Sequence, residues 1–316
     1  MNMITEKKIL ITGGSGSIGS YLIQMLDESN EILNIDKNPP DDELKDKMIF
    51  KKADLAENVK IEEIVAEFKP EILFHLAASF QRTSETIDFR NECFLSNVLG
   101  THNIFEACIK NSIKQIIFPS SYLIYDQNCY LFSMDDLNHE PIAISEDFPV
   151  NPRNITGAAK LYAEKELEFY ERMGIVTTSL RIFRVYGPKN QDIIDRWISS
   201  LIQGDEINVY GEQQNFDYVH AKDCALACLQ AAKMKKNGIF NIGSGIPTSV
   251  HTVLRILENL FDTKFKIKKV ESKDLQKLEK SYANIKKAKE MLKYEPKIGI
   301  EEGIKINFNA IKKEIS

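Results

Sequence analysis

Gly13, Gly16 and Gly19 recur at three-residue intervals in Thr12-Gly13-Gly14-Ser15-Gly16-Ser17-Ile18-Gly19, between an apolar run and the head of a helical pattern. Each glycine has its own task in that setting: Gly13 permits a tight turn, Gly16 lets backbone approach a pyrophosphate, and Gly19 lets helix pack closely on strand. The helix N-terminus then offers unpaired N–H groups to the phosphate charge. Asp36 ends the next apolar run. A carboxylate there accepts hydrogen bonds from the adenosine ribose hydroxyls and repels a 2′-phosphate, so the two signals together predict NAD rather than NADP. Ser17, Ile18 and Lys37 adjoin these residues and join the predicted cofactor set.

Such a turn needs a parallel sheet behind it. The first 180 residues alternate short β-branched runs with helical patterns, which predicts an α/β Rossmann fold with a doubly wound parallel sheet. Strands are expected at 8–12, 31–36, 48–53, 72–76, 116–120 and 176–183. Ile18, Tyr21, Leu22, Met25 and Leu26 repeat at helical spacing, as do Ile61, Ile64, Val65 and Phe68, and both stripes should lie on the sheet. Longer helices are expected near 91–110 and 157–173, where Phe94, Phe105, Leu161 and Phe169 exceed what one sheet face needs. That surplus predicts a homo-oligomer, a dimer or tetramer.

Beyond Gly187 the pattern is mixed, with helices expected at 193–203, 221–232, 250–261, 285–292 and 301–311 and strands at 207–210 and 238–242. The expected division is an NAD-binding domain over 1–180 and a smaller mixed α/β substrate domain over 181–316, with the segment at about 215–245 returning to the first domain. The stretch 126–141 is the longest without a clear period, and loops of that length are often functional.

The 316 residues are 43% hydrophobic, enough for a substantial core, and the net charge of -5 comes from interspersed Lys and Glu. No basic block is present to neutralise a phosphate backbone, so nucleic acid is excluded as a partner. Cys93, Cys108, Cys129, Cys224 and Cys228 are odd in number and form no CxxC or CxxH pair, so neither a metal site nor a disulfide framework is expected. The start of the chain lacks the apolar run and cleavage site of a signal peptide, and no run reaches the roughly 18 apolar residues that span a bilayer. A cytoplasmic protein with no membrane contact is expected.

With its glycine spacing, further segments in order resemble the extended short-chain dehydrogenase/reductases that act on nucleotide-activated sugars. Ala53-Asp54-Leu55 is similar to their adenine-contacting segment, Phe74-His75-Leu76-Ala77-Ala78 to the turn beside the cofactor, and Asn97-Val98-Leu99-Gly100-Thr101 to the central helix. The segments 180–188 and 217–223 resemble the substrate side. The resemblance implies that Asp54, Leu55, Leu76, Ala77, Ala78, Asn97, Ser120 and Phe183 join the cofactor set.

Members of that family use a Ser or Thr, a Tyr and a Lys, the hydroxyl positioning the sugar alcohol, the Tyr taking its proton and the Lys lowering the Tyr pKa while binding the nicotinamide ribose. Phe118-Pro119-Ser120-Ser121-Tyr122 resembles the hydroxyl-bearing segment and implies Ser121, and the Lys maps to Lys160. Four residues before it stands Thr156, where the family has its Tyr. An aliphatic hydroxyl is a far weaker acid than a phenol, whose pKa is about 10, so Thr156 can relay a proton but not serve as an anionic base near neutral pH. His139, Glu146, Tyr125 or water are the expected replacements, while Tyr162 points away from Thr156 along the helix.

Dehydratases of the family carry an acidic pair after the hydroxyl, decarboxylases a Glu there, and the 3,5-epimerase/reductase branch a Cys. This chain has Tyr122 and Leu123 at those positions. What remains is hydride chemistry, which the resemblance places at the C4 hydroxyl of a nucleotide-diphosphate sugar. Phe216 replaces the Arg that usually grips the diphosphate, Lys273 is the nearest counterpart of the C-terminal Arg, and Arg184 stands where many relatives have Asn, which suggests a relocated charge. Gln81, Arg82, Ser121, Tyr122, Thr156, Arg196 and Tyr210 complete the predicted substrate contacts with Arg184. Three readings follow: oxidation of C4 to a 4-keto sugar, 4-epimerisation, or a non-catalytic NAD- and sugar-nucleotide-binding protein.

Overall fold

A computed structural model describes residues 4–80, 85–133, 139–190, 192–209, 211–262, 264–269 and 277–315. The first half runs β1 (Lys8–Thr12), α1 (Ser17–Met25), β2 (Glu31–Asp36), β3 (Ile49–Lys52), α2 (Asn58–Phe68), β4 (Ile72–His75), α3 (Ile87–Cys93), a π-helical segment (Phe94–Leu99), α4 (Gly100–Lys110) and β5 (Gln115–Ser121). Then come β6 (Leu131–Ser133), β7 (Ile142–Ile144), α5 (Ile155–Arg172), β8 (Val176–Ile182), β9 (Arg184–Tyr186), α6 (Ile193–Gln203), β10 (Ile207–Val209), β11 (Asn215–Phe216), β12 (Tyr218–His220), α7 (Ala221–Met234) and β13 (Gly238–Ile242). The chain closes with β14 (Thr248–Ser249), α8 (Val250–Phe261), β15 (Ile267–Lys269), β16 (Lys277–Glu279), β17 (Ser281–Ala283) and α9 (Ile300–Ile315).

Seven strands form one parallel sheet in the order β13-β8-β5-β4-β1-β2-β3. Its strands, the edge strand β3 apart, are largely buried on both faces, which is why they read as near-continuous apolar runs. Alternate residues of β1 divide between the two faces: Ile9 and Ile11 join one core cluster and Leu10 the other. A third core, built from Tyr186, Trp197, Phe216, Val253, Leu257 and Ile304 among others, lies among α6, β12, α8 and α9. β13 pairs with β8, so residues 238–242 belong to the main sheet although β9–β12 do not.

The strand order reverses between β1 and β4, and in open parallel sheets the crevice outside the strand C-termini at that point is where ligands bind. The predicted helices and strands are present with small shifts at their ends, except that the helix expected at 91–110 starts at Ile87 and is split by the π segment, and the one expected at 285–292 is π-helical over Ala288–Leu292. Phe105 is a correction: it is fully buried against His75, Phe118 and Tyr170, and so is not part of a surplus surface. Phe94 and Phe169 remain 57% and 59% exposed on the π segment and α5. No helix among the described residues is long and apolar enough to cross a membrane.

Candidate active site

The glycine turn is shaped by close approaches. A Cβ on Gly13, which has φ of +74°, would meet the Ala77 backbone N at 2.6 Å, so the loops after β1 and β4 touch across the switch point. A Cβ on Gly19 would meet the Gly13 carbonyl oxygen at 2.5 Å, which sets how closely α1 packs. Gly16 is different, since its Cβ would meet only the Gly13 carbonyl, at 3.3 Å. α1 starts there without a side-chain cap and without an acidic residue in its first turn. Uncapped N–H groups beside open space are what a pyrophosphate requires, so these residues fit NAD.

Asn34 holds the turn in place, a role that sequence patterning missed. It is fully buried, its Oδ1 accepts from Gly14 N at 2.9 Å, and its Nδ2 donates to Ser15 Oγ at 3.2 Å. At the end of β2, Asp36 accepts from Ser15 N and Asn38 N, both at 3.0 Å, which fixes the carboxylate at the rim of the crevice. Lys37 and Asp54 form an ion pair at 2.9 Å beside it, and Leu55 is buried against Gly100. Ser17 Oγ donates to the Pro188 carbonyl, joining α1 to the segment after β9, while Ile18 is half-buried in the first turn. Leu76 and Ala77 are half-buried and Ala78 is exposed beyond β4.

Two predicted cofactor contacts are otherwise engaged. The Ser120 hydroxyl is buried and donates to Glu164 Oε1 at 2.6 Å, inside a pair in which Arg181 donates to both Glu164 oxygens at 3.0 and 2.7 Å. Ser120 points to the opposite face from Ser121 because neighbouring strand residues alternate, so its hydroxyl serves that buried pair and not the crevice. Asn97 uses its amide to clamp the loop after β4, accepting from Ser79 N and donating to the Ser79 carbonyl, each at 2.7 Å. His75 is likewise satisfied on both ring nitrogens, by Thr12 and Thr101 hydroxyls at 2.7 and 2.9 Å, and burial pushes it down to about 3. It is a neutral core residue.

Ser121 closes β5, and Thr156 and Lys160 stand one turn apart at the start of α5. Asn154 caps α5 by accepting from Gly157 N, and a Cβ on Gly157 would meet the Leu123 carbonyl oxygen at 2.5 Å, so the helix start presses on the turn after Ser121. Ser121 Oγ accepts from Leu123 N at 3.2 Å. One helical turn into α5, Lys160 Nζ donates to the Pro119 carbonyl at 2.7 Å and lies 4.4 Å from the Phe118 ring centroid. Burial pushes this ammonium down to about 8. Thr156 is 3% exposed, and its Oγ1 has no hydrogen-bond partner among the described residues. The Cys93 thiol lies beside it, pushed up by burial and opposed by the Thr156 hydroxyl.

The proposed replacement bases are placed elsewhere. Tyr125 donates to Asn241 Oδ1 at 2.6 Å and is pushed up to about 12 by burial, and Glu146 Oε1 accepts from Asn241 N at 2.7 Å. His139 is exposed and stacks on Phe132 at 4.3 Å. Tyr162 is 45% exposed.

On the substrate side Tyr122 stacks on Phe183, centroids 5.0 Å apart, and its hydroxyl accepts from Arg153 Nη2 at 2.9 Å. Arg153 Nη1 also pairs with Glu279 at 2.9 Å, bringing β16 to the site. Neither Arg153 nor Glu279 was singled out in the sequence, because their pairing spans 126 residues. Arg184 faces Tyr218 across the β9–β12 register and lays its guanidinium 3.5 Å from the Phe216 ring centroid. Its charge therefore lies over the side chain of position 216, and Arg184 Nε and Tyr218 Oη are buried without a partner among the described residues. Arg196 is exposed on α6, whose buried side chains face the third core. Gln81, Arg82, Tyr210 and Lys273 lie outside the described residues.

Comparison with known proteins places the chain in a family. A protein of Methanocaldococcus jannaschii, provisionally named UDP-glucose 4-epimerase, is 31% identical over 96% of this chain and 98% of its own. The crystal structure of the UDP-glucose 4-epimerase of Thermotoga maritima with UDP-glucose is 26% identical, covers 98% of this chain and 99% of its own, and superposes with a TM-score of 0.83. The UDP-glucuronic acid 4-epimerase of Bacillus cereus, in complex with UDP-glucuronic acid and NAD, is 25% identical over 97% of this chain and 99% of its own, with a TM-score of 0.83. Residues 9–243 match the NAD dependent epimerase/dehydratase family, and the chain belongs to that family of extended short-chain dehydrogenase/reductases, whose cofactor is NAD.

Proposed function

We propose that this protein oxidises the C4 hydroxyl of a nucleotide-diphosphate sugar to a 4-keto sugar, and that hydride return to the other face makes it a 4-epimerase. The observation that carries the reading is that the start of α5, with Thr156 and Lys160, packs on the end of β5 and on the turn after Ser121, at the same C-terminal edge of the sheet as the crevice between β1 and β4. The names of its relatives favour epimerisation over net oxidation. NAD, when bound, supplies the hydride acceptor. Ser121 orients the sugar hydroxyl, Thr156 relays its proton, and Lys160, with its value near 8, holds the nicotinamide ribose and the far end of the relay. Asp36 holds the adenosine ribose, and Arg184 grips the diphosphate in place of the Arg absent at position 216.

In this reading residues 1–180 hold NAD and residues 181–316 the sugar nucleotide. The exposed Phe94, Tyr162 and Phe169, on helical segments that pack together, support a homo-oligomer. The five cysteines are free, which supports a reducing, cytoplasmic setting. A second reading, a non-catalytic sensor of NAD and sugar nucleotide, is favoured by one observation: the position where relatives have a phenol carries an unpartnered aliphatic hydroxyl.

The test is to incubate the protein with NAD and either UDP-glucose or UDP-galactose, follow the reduced-nicotinamide band, and separate the sugars by chromatography. Interconversion of the two supports the epimerase. A lasting rise in reduced nicotinamide with a 4-keto product supports the dehydrogenase, and binding without redox change or product supports the sensor.

A further inference from the structure

We propose that His102, Glu106 and Glu166 form a divalent-cation site on the outer face of α4 and α5. His102 and Glu106 are one helical turn apart on α4, and Glu166 faces them from α5, so that one donor atom from each lies within 4.8 Å of the others. One imidazole and two carboxylates are the mixed nitrogen and oxygen donor set that suits zinc and its first-row neighbours. Facing helices with a His or Glu one turn apart are a recurrent way to build such sites.

The independent observation is Glu166 itself. Its side chain is 10% exposed, and its Oε2 is buried with no partner among the described residues. Glu166 Oε1 takes His102 Nδ1 at 2.6 Å, and the Tyr170 hydroxyl lies 2.6 Å from that oxygen and 2.8 Å from Glu106 Oε1. A phenol has one hydrogen to donate, and it cannot go to two carboxylates at once. A buried orphan oxygen, and two carboxylates with one phenolic hydrogen between them, leave negative charge that a cation neutralises.

Zinc takes nitrogen and oxygen ligands at about 2.0–2.2 Å, and rotation of His102, whose side chain is 45% exposed, closes the set around an ion and leaves an open coordination position. The site would pin α4 to α5. It lies apart from Ser121, Thr156 and Lys160 and stands or falls independently of the sugar chemistry.

The experiment strips the full-length protein with chelator and titrates it with zinc chloride or cobalt chloride alone, following stoichiometry by calorimetry, melting temperature, and cobalt visible absorption. Expected are one equivalent of metal per chain, a rise in melting temperature, and cobalt bands of a site with nitrogen and oxygen ligands. His102→Gln and Glu166→Gln should each weaken binding at least about tenfold and abolish the rise, whereas His251→Gln, at an exposed position on α8, should change neither. The stripped variants should fold as the stripped parent does by circular dichroism, since the parent then also lacks the ion. Failure of the parent to bind one equivalent, or unchanged affinity in both ligand variants, overturns the proposal.

Discussion

Thr156→Val separates what the fold wants from what the chemistry wants. Thr156 is 3% exposed with no hydrogen-bond partner for Oγ1 among the described residues, and the Cys93 thiol, a weak acceptor, lies beside it. A buried unpartnered hydroxyl costs about 1–3 kcal/mol, and Val replaces it with a methyl of nearly the same shape. Proteins of 150–250 residues shift by about 2–4 °C per kcal/mol, so a chain of 316 residues belongs at the lower end and should melt roughly 2–6 °C higher as the variant. Turnover should move the other way. A positioned proton-transfer group contributes about 10²–10⁴-fold, and even the weakest relay should cost about tenfold, or 1.4 kcal/mol of barrier. Thermal melts of the stripped protein and single-turnover reduction of NAD by sugar nucleotide read the two effects. A variant that melts lower would show that the hydroxyl is satisfied in solution. Unchanged turnover would remove Thr156 from the proton route.

Three further outcomes follow from the same geometry. Asp36→Ala should weaken NAD binding and relax discrimination against NADP, because the ribose acceptor and the repelling charge disappear together, and equal affinity of the parent for both cofactors by calorimetry would refute it. Arg184→Ala should lose about 2–5 kcal/mol of sugar-nucleotide affinity, roughly thirtyfold or more, and normal binding would end the relocated-charge account. Lys160 has a folded value near 8 against an ordinary 10.5, so its burial penalty is fully present below pH 8 and is relieved as pH rises through the window 8 to 10.5. Lys160→Met should therefore be more stable than the parent at pH 7, by about 3 kcal/mol at most, with the gap closing toward pH 10.5 in denaturant melts. A gap that widens with pH would refute the sign.

Features that depend on neighbours in the chain were legible from the sequence. The turn at Gly13, the carboxylate of Asp36 and the strands on either side are set by spacing of three residues or fewer, and all were found in place. Contacts between distant segments were not legible. Ser120 read as a cofactor contact because it adjoins Ser121, yet strand alternation turns it toward Glu164 and Arg181, residues 44 and 61 positions away whose pairing has no local signature. The small ladders β6–β16 and β7–β17 join three-residue strands across more than a hundred residues and carry no period to detect. The α3 start at Ile87 did have a signal, Thr86 accepting from Phe89 N, but the exposed Ile87 and Phe94 blurred the helical stripe.

The seventh strand has a consequence for how the protein is made. β8 ends at Ile182, but its outer neighbour β13 ends only at Ile242. During synthesis at about 5–20 residues per second, about 60 residues must be added before that partner emerges, a delay of roughly 3–12 seconds. Throughout that interval Thr178, Ser179, Leu180, Arg181 and Ile182 present an open row of backbone donors and acceptors to any passing strand. Arg181, inside this row and bound to Glu164 from the preceding helix, places a charge at the vulnerable edge. The pair that removes Ser120 from the crevice is thus also carried by a strand that waits for its outer neighbour.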